Sequence, residues 1–249
     1  MKRIISLGTH LNTPPSADQL RHDNSSSGLR LVVFDCDGTL VDSQASIISS
    51  MAAASRAQGI EPADPHNVRR IVGLPLEVGI SHLFPNLDPG EIASVREGYR
   101  QAFSNLRLSG EIQEPLYPGV LQTLDILDQQ GWLLGVATGK SHKGLISTLE
   151  THELGGRFVT LQTADRALGK PHPEMMHNAM NETGADASVT VMVGDTTFDM
   201  EMARNANVWA IGVAWGYHEV SELTAAGAHT VVHTYAELPA AISAVIATQ

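Results

Sequence analysis

Leu31-Val32-Val33-Phe34 runs without a polar interruption into Asp35-Cys36-Asp37-Gly38, and this junction constrains the chain most. Four apolar residues read as a buried strand, and the C-terminal lip of such a strand is where α/β sheets carry their chemistry. Successive side chains of a strand point to opposite faces, so Asp35 and Asp37 enter one crevice only if the backbone leaves the strand between them, with Gly38 making the turn. Two carboxylates that close repel unless a metal ion or a shared proton offsets them, and a hard cation such as Mg2+ takes oxygen ligands of this kind. A solvated Asp-Gly turn after a strand is the plain alternative for these residues taken alone.

Three later segments repeat the pattern of a strand or loop ending in chemistry. Leu133 to Ala137 is a short apolar run that ends in Thr138-Gly139-Lys140-Ser141. A hydroxyl, turn N–H groups and the start of a helix there all offer donors to phosphate oxygens. A nucleotide P-loop would need glycine at position 134, which is Leu, so that reading is set aside. In Gly169-Lys170-Pro171-His172-Pro173 the prolines exclude helix through Lys170 and favour one starting just beyond, which leaves the lysine on a fixed loop. Val189 to Val193 reads as a strand and is followed at once by Gly194-Asp195-Thr196-Thr197-Phe198-Asp199. Asp195 could complete a metal site with Asp35, and Asp199 could hold Asp195 or Lys170 in place. Asp and Thr are also good helix caps, so a structural role for Asp199 stays open.

Taken together, Asp35/Asp37, Thr138, Lys170 and Asp195/Asp199 resemble the four motifs of the haloacid dehalogenase (HAD) superfamily, in their usual order. The layout covers about residues 29 to 240, and its helical-cap phosphoglycolate-phosphatase-like branch is the nearest likeness. The resemblance implies an α/β fold, a Rossmann-like doubly wound parallel sheet with an inserted α-helical cap. It implies Asp35 as the nucleophile that forms an aspartyl-phosphate, and Asp37 as the group that protonates the departing alkoxide and then takes a proton from water. Thr138, Gly139 and Lys170 would cradle the phosphate. Mg2+ would be held by Asp35, the backbone carbonyl of Asp37, and Asp195, with Asp199 supporting them from behind. The family's 2-haloacid dehalogenases carry no carboxylate at the place of Asp37, since a halide leaves without a proton. A phosphatase is therefore implied, with a pyrophosphate or nucleotide phosphohydrolase, a β-phosphoglucomutase-like phosphotransferase and a non-catalytic phosphate-binding regulator as alternatives.

Between the first two motifs, residues 44–115 are too many for a loop. Ile47, Ile48, Met51, Ala54 and Ala57 recur at helical spacing, as do Val78, Ile80, Leu83 and Phe84, and Ile92, Val95, Tyr99 and Phe103. The expected division is an N-terminal extension over residues 1–28, a catalytic core over 29–43 and 116–249, and a helical cap over 44–115. Closure hinges are expected near Ser43-Gln44 and between Glu114 and Gly119. No lysine occurs in 44–115, so the Schiff-base lysine of the family's phosphonoacetaldehyde hydrolases has no counterpart. Ile47 and Leu76 occupy the places of a His and an Arg that serve the sugar in β-phosphoglucomutases. Arg69, Arg70 and the loop around Gly73 and Leu74 are the remaining candidates for substrate specificity.

A formal charge of -11 disfavours nucleic acid and acidic membranes as partners, so a small-molecule phosphate must rely on local cations. One cysteine, Cys36, excludes an internal disulfide and reads as a buried filler in a cytoplasmic protein. A monomer or homodimer is expected. No run approaches a membrane span, and Met1-Lys2-Arg3 is followed by too short an apolar stretch for a signal peptide. Thr13 to Gly28, rich in Pro, Ser, Asn and Asp, reads as a flexible extension. His229 and His233 should stand at opposite ends of a strand over Thr230 to Val232 and share no metal.

Overall fold

A computed structural model describes residues 28–248, so the expected extension lies outside the described residues apart from Gly28. Six parallel strands form one sheet: β1 (Arg30–Phe34), β2 (Trp132–Thr138), β3 (Thr160–Thr163), β4 (Thr190–Gly194), β5 (Trp209–Val213) and β6 (Thr230–Val232). Their spatial order is β3-β2-β1-β4-β5-β6. From β1 the chain steps outward through β2 to β3, then returns to the other side of β1 and steps outward again. The direction reverses between β1 and β4, and a crevice opens at such a point beyond the carboxyl ends of the strands. Asp35 and Asp195 each follow one of those two strands.

Both faces of the sheet are covered, which is why its central strands are mostly apolar. Val32 and Phe34 pack on one side with Leu134, Val136, Val191 and Val193. On that side lie α5 (Val120–Gln129), α6 (His142–Thr151) and α10 (Leu238–Ile246), through Leu124, Leu145 and Ile242. Leu31 and Val33, of opposite parity, pack with Met192 and Ala210 on the other face. There α7 (Glu174–Thr183), α8 (Thr197–Asn205) and α9 (Val220–Ala225) contribute Met175, Met200 and Leu223. Each fully buried Val, Leu, Phe or Met is worth about 1.5–3 kcal/mol over exposure, so the position of the site rests on two apolar layers.

β3 was not legible in the sequence. Three of its four residues, Thr160, Gln162 and Thr163, are polar, in keeping with an edge strand paired only with β2. β2 also extends through Thr138, which makes that residue the last of the strand.

The segment between β1 and α5 forms α1 (Gln44–Ala57), α2 (Pro65–Arg70), α3 (Leu76–Leu83) and α4 (Pro89–Ser109). They enclose a cluster of their own made by Ile47, Met51, Ala54, Val68, Val72, Ile80 and Val95. Asp88 and Glu91 close a capping box at the start of α4, and Gly110 ends it in the left-handed region at φ 75°. Val78 and Ala57, expected on the apolar stripes, are exposed instead, since α3 turns the Ile80 side of its surface inward and Ala57 ends α1. The two connections to this insertion run side by side, joined by the Asp42 N–H donating to the Pro115 carbonyl at 2.8 Å and Tyr117 N–H to Leu40 at 3.0 Å.

Candidate active site

The turn after β1 brings the first two aspartates out of the sheet in different directions. Asp35 still belongs to the ladder, its N–H donating to the Val193 carbonyl at 2.9 Å. Gly38 then reverses the chain at φ 82°, and a Cβ at that position would stand 2.2 Å from Asp195 Oδ2. Only glycine admits both the dihedral and the approach. Asp37 is thereby turned away from Asp35, toward Ser43, whose hydroxyl donates to Asp37 Oδ1, and toward Lys140, whose Nζ lies 2.9 Å from the same oxygen.

Asp35, Asp195 and Asp199 form a buried cluster, with one carboxylate oxygen of each within 4.8 Å of the others. Lys170 is wholly buried beside it, with Nζ 2.9 Å from Asp35 Oδ1 and 2.5 Å from Asp199 Oδ1. The Cys36 N–H donates to Asp35 Oδ1 at 2.6 Å, while Asp35 Oδ2 is buried without a hydrogen-bond partner. Asp195 accepts from the Thr39 hydroxyl at 2.8 Å and from the Tyr217 N–H at 2.9 Å. Asp199 closes a capping box on Thr196 at the start of α8 and meets Lys170 with its other oxygen, so it serves helix and cluster together.

Three carboxylates face one ammonium, and their charge is offset only in part. Burial, opposed by Lys170 and reinforced by Asp199, raises the Asp35 pKa from 3.8 to about 7. Burial and the Asp35 charge push Asp195 well above the usual carboxylate range. An orphaned buried oxygen within a set of hard oxygen donors fits a divalent cation such as Mg2+. The Asp37 carboxylate is not one of the three acids of the cluster, and its Oδ1 is taken by Ser43 and Lys140.

This arrangement has a consequence for stability. Between pH 3.8 and about 7 the folded protein binds protons at Asp35 that the unfolded chain has released, so stability falls as pH rises through that window. In chelator-treated protein the Tm is expected to drop by several degrees from pH 4.5 to 7.5, and millimolar Mg2+ should remove most of that slope. A calorimetric pH series with and without Mg2+ checks it; a metal-free slope of the opposite sign would rule the explanation out.

Thr138 is buried at the end of β2, and its Oγ1 accepts from the Lys140 N–H at 3.2 Å. Gly139 lies under the loop of the insertion, where a Cβ would stand 3.0 Å from the Leu74 carbonyl and 3.1 Å from that of Gly73. A Cβ on Gly73, at φ 100°, would lie 3.2 Å from Thr196 Oγ1. The loop around Gly73 and Leu74 is therefore seated between the second and fourth motifs.

The two arginines have different surroundings. Arg70 makes a bidentate pair with Glu222 of α9, at 2.6 and 2.7 Å, which ties α2 to the core. Arg69 meets the Gln44 side chain at 3.3 Å, and both arginines line a cleft of about 210 Å³ with His66, Tyr117, Trp215 and Tyr217. His218 Nδ1 accepts from the Thr197 N–H, so Nε2 carries the proton and donates to the Arg70 carbonyl at 3.2 Å. Burial and the Arg70 charge lower its pKa, in keeping with a neutral ring.

Sequence reasoning missed Lys140 and Glu114. The Tyr217 N–H on Asp195 is a backbone contact that no residue type announces. Lys140 carried a signal, as a lysine two residues past Thr138 in a chain of only 16 Lys and Arg.

Comparison with known proteins agrees with the four-motif layout. The sequence pattern of the haloacid dehalogenase-like hydrolases matches residues 32–213. A Dickeya dadantii protein named "Probable phosphatase IndB" is 40% identical over 221 residues, covering 87% of this chain and 94% of its own. An Agrobacterium fabrum phosphoglycolate phosphatase is 33% identical over 193 residues, covering 76% and 82%. Among solved structures, a hydrolase of Pseudomonas syringae shares the fold with a TM-score of 0.76 at 24% identity, covering 86% of this chain and 98% of its own. A pattern that spans the reversal point of the sheet and all the buried acids, joined to that 40% relative, places this chain in the haloacid dehalogenase-like hydrolase family.

Proposed function

We propose that this protein is a Mg2+-dependent phosphatase acting on a small organic phosphate monoester, of the phosphoglycolate-phosphatase kind. One observation carries the reading: at the reversal point of the sheet, Asp35 keeps Oδ2 free of hydrogen bonds while Lys170, Asp195 and Asp199 converge around it. In the first step a carboxylate oxygen of Asp35 bonds to phosphorus as the bond from phosphorus to the ester oxygen breaks, and Asp37 gives its proton to the departing alkoxide. In the second, water attacks the aspartyl-phosphate, Asp37 takes the proton, and Asp35 is restored with release of phosphate. Lys170 and Thr138, with the N–H groups of the turn at Gly139, hold phosphate oxygens and favour the charge that gathers on them. Mg2+, held by Asp35, Asp195 and the Asp37 carbonyl, would supply positive charge against the phosphate oxygens and the buried acids.

Residues 44–115 are read as a cap that shields this chemistry from water, with hinges at the paired connections near Ser43 and Pro115. The loop seated over Gly139 and Thr196 supports a closed arrangement. A panel of phosphorylated metabolites assayed for kcat/KM with Mg2+ and with chelator tests the activity. Turnover on no phosphate ester, or turnover indifferent to chelation, would reject it.

Arg69 is the specificity candidate the surroundings favour, since Arg70 is engaged by Glu222. Arg69→Ala is expected to cost about tenfold in kcat/KM on an ester carrying a second anionic group, the worth of one charged hydrogen bond. On p-nitrophenyl phosphate it should stay within about twofold by the same reasoning. Equal losses on both substrates would remove Arg69 from this role.

A further inference from the structure

We propose that Lys140 is a positioning residue that aims the Asp37 carboxyl at the leaving group and couples that aim, through Glu114, to the connection of the helical insertion. The proposal rests on the phosphatase reading, in which Asp37 is the proton donor. Its basis is a line of buried charges. The Lys140 side chain is 9% exposed, with Nζ 2.9 Å from Asp37 Oδ1 and 2.8 Å from Glu114 Oε1. The Phe103 ring of α4 covers the ammonium at 5.0 Å from its centroid. Taking an ammonium and two carboxylates out of water costs several kcal/mol each, so a bare stabilising role would be better served by apolar side chains of similar volume.

Glu114 is held from both parts of the molecule. Arg107, near the end of α4, donates to Glu114 Oε2 at 2.7 Å, and the Thr148 hydroxyl of α6 lies 3.3 Å from the same oxygen. His152 Nε2 meets the Glu114 backbone carbonyl at 2.7 Å. The next residue, Pro115, is the one whose carbonyl pairs the two connections by accepting from Asp42. One chain of charged contacts thus runs from α4 through Glu114 and Lys140 to Asp37. With the insertion displaced, Arg107 leaves Glu114, and the hold on Lys140 and Asp37 loosens. Both donors to Asp37, Ser43 and Lys140, use Oδ1, which leaves Oδ2 for the proton that moves. The turn that ends β2 therefore carries two functions: Thr138 toward the phosphate, and Lys140 toward the acid opposite it.

The leaving group provides the test. An alkoxide departs poorly without a proton, whereas p-nitrophenolate is a stable anion and needs none. A misdirected Asp37 therefore slows the first step of alkyl phosphates selectively, which kcat/KM reads, while its part as base in the second step is common to both substrates; general-acid help is worth about 10²–10⁴-fold where it is needed. The full-length chain would be assayed with Mg2+ for kcat and KM on ethyl phosphate and on p-nitrophenyl phosphate, as the unaltered protein, Asp37→Asn, Lys140→Gln, Lys140→Arg and Glu114→Gln, with a thermal melt of each. Lys140→Gln is expected to lose about 100-fold in kcat/KM on ethyl phosphate and less than about fivefold on p-nitrophenyl phosphate. Lys140→Arg should recover part of the alkyl rate, and Glu114→Gln should show the same selectivity more weakly. Selectivity of kcat/KM in Asp37→Asn but equal losses of kcat/KM on both substrates in the Lys140 and Glu114 variants would overturn the proposal and leave the phosphatase reading intact. A raised KM at unchanged kcat in Lys140→Gln would also overturn it, making Lys140 a substrate-binding cation. If Lys140→Gln does not fold, the Arg and Glu114 variants decide the matter by the same selectivity. Absence of Mg2+-dependent turnover in the unaltered protein would remove both readings together.

Discussion

Asp35→Asn is expected to abolish hydrolysis of phosphate esters, by at least about a thousandfold in kcat, while the metal-free protein melts at the same temperature as the unaltered chain or higher. The loss follows because no other described carboxylate can bond to phosphorus from the end of β1. Asp195 has both oxygens engaged by Thr39 and Tyr217, and Asp199 is bound to Thr196 and Lys170. The stability result follows from the same cluster. Three buried carboxylates within 4.8 Å of one another repel, and the one ammonium among them offsets only part of that charge. An amide at position 35 keeps the shape, removes one charge and relieves the repulsion. Steady-state kinetics with Mg2+ and a melting curve in chelator check the two halves independently. A retained rate would end the nucleophile assignment, and a fall in metal-free Tm of more than a few degrees would show that the Asp35–Lys170 pair outweighs the repulsion.

Lys170→Met should have the largest effect on folding of any single change at the site. It leaves Asp35 and Asp199 buried without their cation, and breaking a buried pair in this way costs about 3–5 kcal/mol. In a protein of this size that corresponds to a Tm lower by roughly 10 °C. Lys170 also lowers the Asp35 pKa against the effect of burial, so in its absence that pKa rises further above 3.8. The folded state then holds extra protons over a wider range, and stability declines more steeply as pH rises. The Tm deficit is therefore expected to be small near pH 4.5 and large near pH 8. A deficit that does not vary with pH would mean that Lys170 acts by packing alone. Turnover should be lost in the same variant, because on the phosphatase reading the ammonium that pairs with the acid cluster also meets the substrate phosphate.

Strands were legible in the sequence where both faces of the sheet are covered. Leu31 to Phe34 and Val189 to Val193 lie within one residue of the observed β1 and β4, since burial on two sides leaves no place for a polar residue. β3 escaped because an edge strand tolerates Thr and Gln. Helix stripes were legible in the same way: Met51, Ile80 and Val95 meet in one cluster. Arg70 and Glu222 stand 152 positions apart, and nothing local in either announces the pair.

What the sequence alone located are the groups at strand ends, Thr138 as the last residue of β2 and Asp35 and Asp195 just beyond β1 and β4, because a strand fixes where its end emerges and the order of motifs fixes which strands those are. Tertiary structure decided the partners: that Lys170 bridges Asp35 and Asp199, that Lys140 turns to Asp37 and Glu114, and that of two arginines on one cleft Arg70 pairs with Glu222 and Arg69 with Gln44. Ion pairs form between charges that the packing of two apolar layers and a helical insertion happens to bring within a few ångströms. Side-chain type sets only what each group can do on arrival; distance, burial and competing charges, which belong to the folded chain, set what it does.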